Sequence, residues 1–217
     1  MRPYLLDIDP ADVDADGLAD GNSSAGATVT LDGALTSGRA FTSADGLAHQ
    51  LSIIDIGADD QTGATYTITG TDSDGIAQTE DIAGPGASAT IETTKYFLTV
   101  TRIAIASPVA GSTVDIGTVD EVVSKTIPCN YRSYGAATFA VDVTGTIDYT
   151  VQETLDEIHL KSNPSADSSW FDLTALTAKT ADLLAQGTLN VTASRLVVNS
   201  YSSGAEIQLT VMQNESI

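Results

Sequence analysis

The densest chemistry in this chain lies near its start, in Asp12-Val13-Asp14-Ala15-Asp16-Gly17-Leu18-Ala19-Asp20. Carboxylates at alternating positions with a glycine at the sixth can wrap a calcium ion, because hard oxygen donors suit that cation and the glycine permits the sharp turn. Asp12, Asp14, Asp16 and Asp20 are the ligands such a site would use. The twelfth position is Ser23 where a bidentate Glu would complete an EF-hand, and neither flank reads as a helix. A solvated acidic loop is the other reading of the same residues.

Other reactive side chains are sparse. Cys129, the one cysteine, sits in Ile127-Pro128-Cys129-Asn130 without a neighbouring His or second Cys, so it reads as a buried structural thiol. His49 and His159 show no zinc spacing and read as surface or edge-strand residues. Glu153, Asp156 and Glu157 could pair as acid and base for glycoside hydrolysis, but carboxylate pairs are common in so acidic a chain. Trp170-Phe171 offers either a sugar-stacking or docking surface or a core anchor of the second domain. No catalytic set emerges, and the expectation is a protein that is not an enzyme.

What positions these groups is a repeat. Arg102-Ile103-Ala104-Ile105-Ala106-Ser107, Gly111 and Ser112-Thr113-Val114-Asp115-Ile116 return as Arg195-Leu196-Val197-Val198-Asn199-Ser200, Gly204 and Ala205-Glu206-Ile207-Gln208-Leu209, at a constant offset of 93 residues. Alternation of apolar and polar residues on both sides of a glycine turn predicts a β-hairpin in each copy. Two β domains in tandem follow, and 217 residues suffice for a core in each.

The predicted fold is all-β, with two antiparallel β-sandwich domains, Ig-like or jelly-roll-like, behind an acidic N-terminal arm. Residues 1–35 form that arm and a first strand at 27–31, residues 36–124 the first domain, and residues 125–217 the second. Strands are predicted at 49–54, 64–69, 76–80 and 89–92, with Asp72-Ser73-Asp74-Gly75 as a hairpin turn. Phe139, Val141, Val143, Ile147, Tyr149 and Val151 predict a further hairpin, and residues 172–184 read equally as a short helix.

The formal charge of −20, from 29 acidic and 9 basic residues, disfavours nucleic acid and anionic lipid as partners. The first residues, Met1-Arg2-Pro3-Tyr4-Leu5-Leu6-Asp7, lack the apolar stretch of a signal peptide, and no run is long enough to span a bilayer, so synthesis in the cytoplasm is the expectation.

Gly46-Leu47-Ala48-His49-Gln50-Leu51-Ser52-Ile53, Gly70-Thr71-Asp72-Ser73-Asp74-Gly75-Ile76-Ala77-Gln78-Thr79-Glu80 and Thr94-Lys95-Tyr96-Phe97-Leu98-Thr99-Val100-Thr101 resemble a family of small virion proteins of tailed bacteriophages. Ala140-Val141-Asp142-Val143-Thr144-Gly145-Thr146-Ile147 and Val198-Asn199-Ser200-Tyr201-Ser202-Ser203-Gly204 are similar to the distal part of such proteins. The resemblance implies a structural part of the particle, assembled in the host cytoplasm. A capsid decoration, or cement, protein on the outer capsid surface is the leading role. A tail or head-to-tail connector component and a virion-surface carbohydrate-binding module are the alternatives.

The implied partner is the major capsid protein or another virion protein. Tyr4, Leu5, Leu6, Tyr96 and Phe97 are candidate interface residues, and self-association as trimers would multiply a modest contact. The same side chains could instead fill a core.

Overall fold

The computed structural model describes residues 3–129, 136–188 and 190–213. The chain is all-β with several antiparallel sheets. Its strands begin with β1 (Tyr4–Ile8), β2 (Ala19–Ser23), β3 (Thr36–Ser37), β4 (Ala40–Thr42), β5 (Ala48–Asp55) and β6 (Thr65–Thr71). They continue with β7 (Ala77–Ala83), β8 (Thr90–Glu92), β9 (Thr99–Ala106), β10 (Thr113–Val123), β11 (Ile127–Pro128) and β12 (Thr138–Thr144). The last are β13 (Ile147–Thr154), β14 (Phe171–Asp172), β15 (Leu183–Gln186), β16 (Ala193–Tyr201) and β17 (Glu206–Met212). Among the described residues no helix is long and apolar enough to cross a membrane.

Two compact units emerge. One is continuous, Val13–Val119, and is inserted in sequence between the two parts of the other, Met1–Asp12 and Asp120–Ile217. The expected division near residue 124 differs because the connecting stretch is no linker. Its β-branched Val119, Val122 and Val123 keep β10 extended, and Val122 and Val123 pair with Val198 and Val197 of β16 inside the split unit.

The stretch expected to be an arm is likewise divided. Tyr4–Ile8 is an edge strand paired antiparallel with β17, while Leu18, Ala19, Val29 and Leu31 are core residues of the inserted unit. The small residues that suggested a loose arm serve close approach instead. A Cβ on Gly33 would lie 2.3 Å from the Asp16 carbonyl oxygen, so only glycine fits where these segments cross. Residues 27–31 make an isolated bridge, Thr28 to Ala104, in place of a full strand.

The hairpins expected at 100–119 and 195–212 are not hairpins. β9 lies in one sheet with β3, β4, β6 and β7, whereas β10 pairs with β2 and neighbours β5. In the split unit β16 pairs with β13, and β17 with β1 and β12. β12 and β13 also belong to different sheets, although Phe139, Val141, Ile147, Tyr149 and Val151 are all buried as expected. Alternation reports which face of a strand is covered. It does not distinguish two strands lying side by side from two that face each other through a shared core.

The hairpin expected around Gly75 is formed, with β6 and β7 paired from Thr65↔Ala83 to Thr71↔Ala77 and Gly75 at φ 77°. Residues 172–184 are not helical: a 3-10 turn at Thr174–Leu176 buries Leu176, and Leu183 and Leu184 lie exposed on β15. The threonines at 174, 177 and 180 weaken a helix there.

The repeat nevertheless runs through both units. Taking the principal strands of each unit in chain order, β2, β4, β5, β6, β7, β8, β9 and β10 form sheets ordered 1-8-3-6 and 2-7-4-5, with β3 added beyond β4. β1, β11, β12, β13, β14, β15, β16 and β17 form sheets of the same two orders. Register agrees as well: Tyr66 pairs with Ile105 and Thr69 with Arg102, and Tyr149 pairs with Val198 and Gln152 with Arg195. The partners on β9 and β16 are again 93 residues apart. Gly111 and Gly204, at the turns that follow, share a left-handed backbone, φ 85° and 71°.

In the inserted unit one apolar cluster draws on both sheets, with Leu51, Ile53, Val114 and Ile116 from one and Phe41, Tyr66, Ile68, Val100, Ile103 and Ile105 from the other. Burial of this order stabilises by roughly 1.5–3 kcal/mol per large side chain.

Candidate functional site

The acidic carboxylates at the start are not gathered. Asp14 and Asp16 approach each other, and their shared hydrogen bond, with burial adding to it, raises the Asp14 carboxyl above its ordinary value. The Asp14 backbone is taken up structurally: its N–H donates to Thr118 Oγ1 at 3.1 Å and its carbonyl accepts from Thr118 N at 2.8 Å. Asp12 belongs to the other unit. Among the described residues no group of three or more His, Cys, Asp or Glu is placed to hold a metal ion.

Several buried polar groups tie loops to the strands. Asp55, 3% exposed at the end of β5, accepts from Ser88 N at 2.8 Å, Gln61 Nε2 at 2.7 Å, Ser112 Oγ at 3.2 Å and Asp59 N at 3.1 Å. Burial pushes its carboxyl up, but these four donors outweigh it and hold the group below the usual carboxylate value. Gln61 in turn accepts from the Tyr66 hydroxyl. Glu80 accepts from the backbone N–H groups of Thr94 and Lys95.

His49 is buried rather than exposed. Its Nε2 lies 3.0 Å from Asp45 Oδ2, its Nδ1 has no partner among the described residues, and its ring meets Phe41 edge-on. Its place on β5 is in phase with the buried Leu51 and Ile53, beside the buried Ala48. His159 is exposed.

Cys129 is buried, and desolvation pushes its thiol up to about 11, as befits a structural residue. Trp170 is half-buried; its Nε1 donates to the Ser165 carbonyl at 3.0 Å, and the Arg195 guanidinium stacks 4.3 Å from the ring centroid. Arg195 is further fixed by Gln152 Oε1 at 2.8 Å. One face of the indole is thus already occupied, which leaves it poorly suited to stacking a sugar.

Of the candidate interface residues, Phe97 is fully buried and offers no surface: it bridges to His49 and fills the core. Tyr96 is half-buried, and its carbonyl accepts from Gln78. Tyr4 and Leu6 are half-buried on β1, with the Lys125 ammonium 5.8 Å from the Tyr4 ring, and Leu5 is exposed.

The three carboxylates near 155 part company. Asp156 accepts from Ser169 N at 2.9 Å and from Lys161 Nζ at 3.3 Å, contacts that keep its carboxyl below the ordinary value. Glu157 buries an oxygen without a partner among the described residues. Glu153 turns into the end of the core beside a cavity of about 220 Å³ lined by Thr154, Leu155, Phe171, Asp172, Thr188 and Val191.

In the sequence Glu153 stood out only as one of three clustered carboxylates. The available signal was its phase, two residues beyond Val151 on the same face of β13. Comparison with protein-family models, curated proteins and solved structures returned no significant match.

Proposed function

We propose that this chain is a structural protein of a tailed-phage particle that decorates the outer capsid surface, without enzymatic activity, and that each of its units is a jelly-roll sandwich. The observation that carries the reading is the doubled strand order: 1-8-3-6 and 2-7-4-5 are the orders expected of the two facing sheets of an eight-stranded jelly roll. That fold serves viral shells and sugar-binding domains alike, so the step from fold to role is an analogy. The sequence resemblance to phage virion proteins favours the first use. The Arg195 guanidinium over Trp170 counts against the second.

The split unit offers a means of attachment. Leu5, Thr210, Ala140 and Leu184 stand in register across β1, β17, β12 and β15, and Leu5 (55%), Leu184 (72%) and the nearby Met212 (47%) are exposed. The exposed leucines at the two ends of this row, with Met212, suit a local contact with a shell subunit. The −20 charge elsewhere keeps the bound particle repelled from its neighbours.

Electron cryomicroscopy of particles carrying a labelled copy tests the reading. Label spread over the capsid exterior supports it. Label confined to the tail moves the protein to the tail or the connector, and its absence from purified particles overturns the virion assignment. Leu5→Asp combined with Leu184→Asp should abolish binding of the purified protein to undecorated shells while leaving its circular dichroism unchanged.

A further inference from the structure

The core face of β13 carries Ile147, Tyr149 and Val151, and the next residue in that phase is Glu153, 4% exposed. The pattern calls for an apolar side chain there, because a buried carboxylate is costly unless its charge and lone pairs are matched. Among the described residues, both of its oxygens share one donor, the Thr188 amide, at 3.1 Å each. A carboxylate has about four acceptor positions, so much of this one's capacity is open. Its place is also built for. A Cβ on Gly187 would stand 2.1 Å from Glu153 Oε1 and 2.6 Å from the Phe139 ring, so any larger residue would displace the carboxylate.

Beside it opens the cavity of about 220 Å³, walled by the buried Val191 and rimmed by Leu155 (59% exposed) and Phe171 (62% exposed). We propose that this cavity receives a lysine or arginine side chain presented by a partner protein. The aliphatic stem lies along Leu155, Phe171 and Val191, and the cationic head reaches Glu153.

Each alternative occupant fails on chemistry. An apolar side chain would fill the walls and seal an unmatched carboxylate behind it, and an anion would be repelled. A basic side chain is the one group with a long apolar stem and a charged tip, and the exposed Phe171 ring adds a cation–π contact. A chain with 29 acidic and 9 basic residues is complementary to a basic partner surface, which also speeds the encounter. The cavity lies wholly within the split unit, and its chemistry does not depend on the virion reading.

The test is a titration of the ¹⁵N-labelled full chain with n-butylammonium chloride, followed by amide shifts, with 1-butanol and sodium chloride as matched controls. The expected result is a saturable shift of the Thr188, Val191 and Phe171 amides with Kd on the order of 1 mM, the scale for so small a ligand. Glu153→Gln should weaken binding by about tenfold or more, the loss of a charge-assisted contact. Phe171→Ala, at an exposed position that does not threaten folding, should weaken it several-fold. No saturable shift overturns the proposal. So does equal affinity for 1-butanol, or binding left undiminished by either Glu153→Gln or Phe171→Ala.

Discussion

Replacing Asp55 tests the claim that its buried carboxylate ties the loops of the inserted unit together. The side chain accepts four hydrogen bonds from donors at residues 59, 61, 88 and 112. Gln61 and Ser112 are fully buried, so in Asp55→Ala each loses its partner with no water to replace it, at about 1–3 kcal/mol apiece. Ser88 is exposed and Asp59 half-buried, so their amides recover most of their bonding from solvent. The expected loss is about 4 kcal/mol, a large part of the roughly 5–15 kcal/mol that holds a domain folded.

Asp55→Asn keeps the shape and one acceptor and should cost about half as much. The two variants also differ from the parent in acid. A carboxyl held below its ordinary value in the folded state binds fewer protons there than in the unfolded chain. Its stabilisation is complete above about pH 4 and is lost as pH falls through the lower folded value. The parent should therefore lose stability over that window with a component absent from Asp55→Asn. Hydrogen exchange of the β5 and β10 amides reads the inserted unit's stability directly across urea and pH series. A loss under about 1 kcal/mol in Asp55→Ala, or an unchanged acid slope in Asp55→Asn, would refute the reasoning.

Gly70→Ala should cost about 3 kcal/mol in urea unfolding, because the new Cβ would stand 1.8 Å from the Thr99 carbonyl oxygen at the β6–β9 bulge. Gly63→Ala, with open space around it, should be neutral or stabilise by about 0.5 kcal/mol in the same assay. Tyr149→Phe removes the hydroxyl that donates to the Ala181 carbonyl and should lower stability by about 1 kcal/mol in thermal unfolding. Cys129 should resist a thiol reagent at pH 8 in the folded protein and react promptly in urea; fast labelling of the native chain would contradict its burial.

The candidate site was only partly legible in the sequence, for a physical reason visible at Glu153 and His49. Polar residues enter sequence reasoning as motifs; Glu153 entered only with Asp156 and Glu157, from which the structure parts it, and His49 belongs to none. Both are polar side chains within runs otherwise read for their apolar members, and whether such a group is buried depends on what other strands bring near it. For Glu153 that includes Gly187 and Thr188, which are more than thirty residues away. Asp55 is similar: its donors come from residues 59, 61, 88 and 112, brought together only once the sheets have formed.

The fold was legible in one dimension and hidden in another. Strand positions at β5, β6, β7 and β8 follow from alternation and from Asp74-Gly75, since both act within a few residues. Which strands become neighbours is a longer-range matter. Gly111 and Gly204 reverse the chain, but each reversal carries it to the opposite sheet, and the local pattern is the same for either outcome. What decides is the competition for edges. β9 is flanked by β4 and β6, and β16 by β13 on one side and β11 on the other, so neither has an edge left for the strand that follows. The 93-residue repeat preserved this outcome in both units because it preserved the register, Thr69 to Arg102 and Gln152 to Arg195. Few identical residues were needed to fix the same crossing twice.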